Sequence, residues 1–252
     1  MTKYPHATGT LAGRVVRLPL QIRIRGLFTV TVHSRVQVDP AVLSPFRTIR
    51  EIAESHAVGP GHDAVSSMAC FVSRRLVSRD PDLGRTGPVC PFARRGVASG
   101  GIRIANCTAG PDAEECIAGI MDEVRSEFIA WGESSGIDPM LRAFVVTFSA
   151  LDGEADCAMI ERVQKRLKPE FVDCGLMIGQ FYPGCEEGGI RNPQFRPLDA
   201  PVISLAVRYM ALADAPFMLD DARYQAAFSA RYGVAGEREM QIARQSRSAA
   251  AA

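Results

Sequence analysis

The residue whose surroundings best suit chemistry is Cys90, in a glycine- and proline-rich loop from Asp80 to Phe92. Pro91 follows it, and a residue before proline is pushed out of helical backbone geometry, so we expect the thiol on an extended or turn backbone. A thiolate held there could ligate heme iron or act as a nucleophile. A buried structural cysteine is the alternative. Arg85, in the same loop, is a candidate substrate contact.

A second candidate segment, residues 179–197, combines glycine, proline, arginine and aromatic residues. Its arginines could bind a carboxylate or a heme propionate through forked hydrogen bonds. Arg191 is the candidate cofactor contact, and an ordinary surface loop with solvated arginines is the alternative. The candidate substrate contacts in this segment are Gln180, Tyr182, Asn192 and Arg196.

The third candidate is the apolar segment that ends in Arg208 and Tyr209, with Asp214 just beyond it. A charged side chain in an apolar strand needs a partner, and Asp214 or an acidic ligand could supply one to Arg208. Arg208 and Tyr209 are candidate cofactor contacts, and Asp214 joins Cys90 as a candidate catalytic residue. Core packing is the alternative for Tyr209.

Other kinds of site are disfavoured by what the chain lacks. All four histidines precede residue 63, so a Ser/His/Asp triad or a histidine-rich metal site cannot be built from the rest of the chain, and we predict no metal site. The seven cysteines are odd in number, widely spaced and without a C-x-x-C pair, which does not fit a disulfide framework. With no secretory apolar segment near the N-terminus, we expect a cytoplasmic protein. A net charge of +1 and the absence of long apolar runs favour neither nucleic acid nor membrane as a partner.

The elements that must position these residues follow from periodicity. Helical apolar spacing predicts helices over 64–78, 112–131, 160–171 and 220–232. Alternating or continuous apolar runs predict four strands over 102–107, 143–149, 175–181 and 202–210. The order of these elements predicts a single α+β domain, with a roughly four-stranded mixed sheet covered by helices. We expect this domain over residues 63–234, a basic extension, partly disordered or hairpin, over 1–62, and a flexible tail over 235–252.

Three strings in order, GRTGPVCPF, GQFYP with IRNPQFRP, and AVRYM, resemble a bacterial family known only as a domain of unknown function. The resemblance covers about residues 63–232. It implies a setting in secondary metabolism, because members of the family often lie near natural-product biosynthesis genes. More distantly, the order of segments resembles the YqcI/YcgG family of heme-dependent N-oxygenases. Relatives tend to have histidine where this chain has Tyr209, which implies a weakened or altered site.

The resemblance leads to the hypothesis of a heme-binding, oxygenase-type enzyme acting on a small amine or amino-acid-like metabolite. Cys90 or Tyr209 would ligate the iron, and Arg191 and Arg208 would hold the propionates or a substrate carboxylate. One alternative is a cofactor-free enzyme with Cys90 as nucleophile. Another is a non-catalytic metabolite-binding protein of a biosynthetic pathway. In each case the partner is a small-molecule metabolite, and the sequence leaves room for a homo-oligomer.

Overall fold

The computed structural model describes residues 15–24, 28–37 and 42–250. The first two ranges are strands β1 (Val15–Ile24) and β2 (Phe28–Gln37), which pair antiparallel with Val15 opposite Gln37. Within the extension expected over residues 1–62, positions 1–14, 25–27 and 38–41 lie outside the described residues.

The central sheet has five strands in the order β3-β4-β5-β7-β6. The pairs β3–β4, β5–β7 and β7–β6 are antiparallel, and β4–β5 is parallel, so the sheet is mixed as predicted. Its strands are β3 (Arg47–Thr48), β4 (Ile102–Cys107), β5 (Ala143–Phe148), β6 (Leu176–Phe181) and β7 (Ser204–Tyr209).

Helices cover both faces of the sheet. They are α1 (Ile49–Ala53), α2 (Pro60–Cys70), α3 (Ala93–Ala98), α4 (Glu114–Ser134), α5 (Glu154–Asp173) and α6 (Ala222–Ala250). A π-helical segment, Phe71–Leu76, continues α2, and short 3₁₀ helices lie at Pro81–Leu83, Pro139–Leu141 and Leu212–Met218. In the described part of the chain, no helix combines the length and apolar character needed to cross a bilayer.

Each sheet face has its own core. On the face that we call the α4/α5 face, the apolar stripe of α4 packs on alternate strand residues, and Ile117, Ile120 and Phe128 are each at most 1% exposed. On the opposite face, the α2/α3 face, Val65 and Met68 pack on Ile104. Because successive side chains of a strand point to opposite faces, the apolar residues of β4 and β5 alternate between these two cores.

The prediction of a single α+β domain with a mixed sheet is confirmed, and all four predicted strands are present. The fifth strand, β3, has two residues, too few to show alternation in a sequence. The structure differs from the predicted flexible tail: α6 bends at Gly233 (φ 54°, ψ −137°), and its second half returns to bury Met240, which is 3% exposed. Only glycine adopts such backbone angles readily.

Candidate functional site

The π-helical segment opens a depression on the surface beside the sheet edge. A π-helix is rare, occurs mostly as a single turn within an α-helix, and is frequent at functional sites. Phe71, Arg74 and Arg75 line this depression together with Pro201, and its volume is about 630 Å³. The Arg74 and Arg75 side chains are exposed, and the Phe71 ring lies 6.3 Å from that of Phe181 on the edge strand β6.

The loop from Asp80 to Phe92 folds back on the π-helical segment, so its conformation is fixed. The amide of Cys90 donates to the carbonyl of Leu76 (2.9 Å), and the amide of Val89 donates to that of Ser78 (2.9 Å). Arg85, predicted to contact substrate, donates to the Val89 carbonyl (3.0 Å) within its own loop. The backbone conformation of Cys90 is therefore held by hydrogen bonds to the end of the π-helical segment and the residues after it.

The first two candidate segments lie against each other. The Asn192 side chain donates to the Asp82 carbonyl (2.7 Å). Gly84 has φ 73°, a backbone angle that favours glycine. A Cβ at this position would also lie only 3.1 Å from the Cβ of Arg191, so the close approach of the two loops favours glycine as well. Arg191 itself is exposed. The contact between the two loops creates one surface from segments more than a hundred positions apart in the chain.

A second, more polar depression of about 350 Å³ lies where these loops meet. Arg75 lines both depressions, and its guanidinium carbon lies 5.2 Å from the centre of the Phe195 ring. Arg75 also pairs with Asp80. The charged and amide side chains lining the second depression are Arg75, Asp82, Asn192, Gln194, Arg196 and Asp199.

Arg208 lies on the α2/α3 face of β7 with Cys90. Its guanidinium donates two hydrogen bonds to the Asp214 carboxylate, which is 5% exposed. Burial acts to lower the pKa of Arg208, but the hydrogen bonds and charge of Asp214 outweigh it, and Cys90 and Tyr232 add to the rise. Asp214 also accepts from the amide of Ala211 (2.7 Å). Its oxygens are therefore occupied in holding the chain after β7.

Tyr209, Gln180 and Tyr182 point the other way. Tyr209 packs in the core of the α4/α5 face, its ring 5.2 Å from that of Phe128. Gln180 is buried on that same face of β6, and the hydroxyl of Tyr182 donates to the Glu161 carboxylate on α5. Burial, followed by the hydrogen bond to Glu161, raises the pKa of Tyr182 above its ordinary value.

The residues assigned to heme are therefore only partly brought together. Cys90 and Arg208 share one face, Tyr209 lies on the other, and Arg208 is engaged by Asp214. Of the two iron ligands predicted from the sequence, Cys90 lies on the same sheet face as Arg208. Tyr209 faces away from it and cannot ligate the iron of a heme bound there. No group of three or more His, Cys, Asp or Glu side chains within the described ranges could hold a metal ion.

Sequence reasoning did not find Arg75, Phe71 or Asp199 as part of a site. The helical periodicity of residues 64–78 fits an ordinary amphipathic helix, and no sequence signal marks the change to π geometry after Cys70. The prolines and glycines between Asp80 and Phe92 did predict a rigid, turning loop.

Comparison with known proteins adds a family and no activity. No curated protein and no solved structure matches the chain. Residues 65–243, which include both loops, β7 and most of α6, match the model of a family described as a domain of unknown function, DUF6875, and the chain belongs to that family.

Proposed function

We propose that this protein binds a small amino-acid-like metabolite in the two adjacent depressions that share Arg75. The observation that carries the proposal is the composition of the smaller depression, where two arginines and two carboxylates line one concave surface. A ligand with both an ammonium and a carboxylate group matches such a surface, because each charge finds an opposite partner.

The arginines have donors to offer. Arg75 uses one terminal nitrogen for Asp80, and a guanidinium has five N–H donors in a planar fork. Arg196 donates to the Pro193 carbonyl within its own loop, which orients its side chain beside the depression. Either could take a ligand carboxylate, and the stacking of Arg75 on Phe195 limits the orientations that its fork can adopt.

The larger depression suits the ligand's apolar part. Phe71 and Pro201 contribute to its lining, while Arg74 lies at its margin. Burial of apolar ligand surface there contributes roughly 25 cal/mol per Å², and the polar groups next to it set the orientation.

Binding without chemistry is favoured over the two enzyme hypotheses by the placement of the candidate catalytic residues. Neither Cys90 nor Asp214 lines either depression, and Asp214 is hydrogen-bonded to Arg208 and Ala211. The heme-dependent and cysteine-dependent hypotheses stay predictions, each with its own test below.

Calorimetric titration with the proteinogenic amino acids, and with the deaminated acid and decarboxylated amine of each, tests the proposal. We expect at least one amino acid to bind, and loss of either charged group to weaken it about tenfold or more. Arg196→Gln and Asp199→Asn should weaken it similarly. Arg166→Gln is the control, since Arg166 pairs with Glu115 on the far helices. No binding across the panel, or equal binding by all variants, would overturn the proposal.

A further inference from the structure

The α4/α5 face carries an aromatic cluster at the end where β4 and β5 begin and β7 ends. Trp131 lies 5.0 Å from Phe144 in a stacked arrangement, measured between ring centres. Phe128 lies edge-on to Phe144 at 5.2 Å and contacts Tyr209 at 5.2 Å. Tyr209 therefore belongs to one continuous aromatic surface with Trp131.

Three arginines surround this cluster. The guanidinium carbon of Arg103 lies 4.7 Å from the ring centre of Trp131. Those of Arg142 and Arg231 lie 5.9 and 5.8 Å from the ring centre of Tyr209. Arg231 is exposed, and Trp131 and Tyr209 are partly exposed, so these members of the cluster reach the surface.

Their guanidinium groups have no carboxylate at ion-pairing distance within the described residues, although the charge of Arg103 helps to lower the pKa of Glu51. None of Arg103, Arg142 and Arg231 forms an ion pair in the parts of the chain that the structure describes. Arg142 is only 9% exposed and donates to the Ile137 carbonyl, while its Nε is buried and has no hydrogen-bond partner there. The Nε of Arg103 is likewise buried and has no hydrogen-bond partner among the described residues. A buried guanidinium without an anion is costly, and native proteins pair such groups.

Two features of the protein compensate only in part. α4 ends three residues after Trp131, and α5 ends two residues before Gly175, which borders Arg231. A helix C-terminus, however, offers the equivalent of only about half a negative charge. Stacking on Trp131 and Tyr209 stabilises the cations without accepting their N–H hydrogen bonds. Neither supplies an acceptor to the two buried Nε atoms.

We propose that Arg142, Arg231 and Tyr209, at the β7 end of this cluster, form a binding site for an oxyanion, a phosphate or carboxylate group of a small ligand. Arginine forks match both groups in a bidentate manner. The Tyr209 hydroxyl adds a neutral donor: a Cβ on Gly132 would lie 2.7 Å from that oxygen and 2.9 Å from Nη1 of Arg142, so both donors border the same glycine. The site shares no residue with the two depressions and does not depend on the function proposed for them.

The chain provides its own reporter for the test. Trp131 is the only tryptophan of the protein, so fluorescence excited where tyrosine does not absorb reports on the surroundings of this cluster. The full-length protein is titrated with inorganic phosphate and, separately, with sodium acetate, with sodium chloride keeping the ionic strength constant. We expect a saturable change in Trp131 fluorescence with at least one of the two anions. Saturation by phosphate alone identifies a phosphate site, and saturation by acetate alone identifies a carboxylate site.

Variants decide whether the change comes from the arginines. Arg142→Gln and Arg231→Gln should each weaken the anion about tenfold or more. Because Arg142 is buried and its variant could unfold, the exposed Arg231 provides the second test. Arg238→Gln, an exposed position on the returning half of α6, is the matched control and should bind as the wild type does. A fluorescence change with neither anion, or the same affinity in Arg231→Gln and Arg238→Gln, would overturn the proposal.

Discussion

Arg208 and Asp214 form a bidentate ion pair, with guanidinium-to-carboxylate distances of 2.6 and 2.7 Å. The pair joins the end of strand β7 to the 3₁₀ helix that follows it. The Asp214 carboxylate also accepts a hydrogen bond from the backbone amide of Ala211. The strand end that carries both Arg208 and Tyr209 is thereby fixed. Its position determines what each of these residues can reach on its own face of the sheet.

Asp214→Asn should destabilise the protein by about 2 kcal/mol. The amide keeps the shape of the side chain but removes the charge that Arg208 faces. The Asp214 carboxylate is 5% exposed, whereas the Arg208 side chain is 37% exposed, so water can compensate part of the loss. Urea denaturation at neutral pH measures the change in the free energy of unfolding.

Asp220→Asn is the matched control for this experiment. Asp220 pairs with Arg247 in an exposed ion pair, and such pairs contribute at most about 1 kcal/mol. An equal loss in both variants would mean that the Arg208–Asp214 pair is worth no more than a surface ion pair.

Much of the fold followed from periodicity, since α4 buries the very stripe that its sequence predicts and the four longer strands lie where apolar runs indicated. The pairing of Arg208 with Asp214, one of two partners considered, was also foreseeable. The placement of Tyr209 could have been foreseen as well. Neighbouring residues of a strand face opposite sides, so Arg208 and Tyr209 could not both contact one cofactor.

The polar depression could not be predicted from the sequence. It depends on a docking of two loops, in which Asn192 reaches the Asp82 carbonyl across more than a hundred positions of chain. It also depends on Arg75, whose direction is set by π-helical geometry that no local propensity encodes. Such tertiary contacts leave no periodic pattern of apolar residues in the sequence.

Tyr182→Phe should cost about 1 kcal/mol at neutral pH and little in acid. The hydrogen bond from Tyr182 is the main cause that holds the pKa of Glu161 below its ordinary value of 4.5. A carboxylate with a lowered pKa in the folded state stabilises the protein above its unfolded pKa, and that contribution is lost as the pH falls through the folded pKa. Unfolding of wild type and variant is compared from pH 7 to pH 3.

Glu161→Gln and the double variant complete this test. If the hydrogen bond accounts for the effect, removing its second partner should cost little more. The free energy of unfolding of the double variant should then lie within a few tenths of a kcal/mol of that of the less stable single variant. Additive losses, or a Tyr182→Phe deficit that persists at pH 3, would place the effect in packing instead.

Alkylation of the native protein by iodoacetamide should begin at Cys70 and Cys174, which are exposed, and end at Cys107. Burial raises the pKa of Cys107 to about 11, which lowers its thiolate fraction as well as its access. Peptide mass spectrometry over time gives the order. Cys90 is only partly exposed, and its alkylation ahead of Cys70 and Cys174 would favour the cysteine-dependent enzyme over the binding protein.

Hemin titration separates the two residues that the sequence offered as iron ligands. We expect Cys90→Ala to change the Soret band of the hemin-loaded protein and Tyr209→Phe to leave it unchanged. Cys90 lies with Arg208 on the α2/α3 face, whereas Tyr209 packs against Phe128 on the other side of the sheet. Absorption spectra of wild type and both variants, recorded before and after hemin addition, make the comparison. A band that moves in Tyr209→Phe and not in Cys90→Ala would place the heme on the α4/α5 face, and a protein that stays colourless would remove the heme hypothesis.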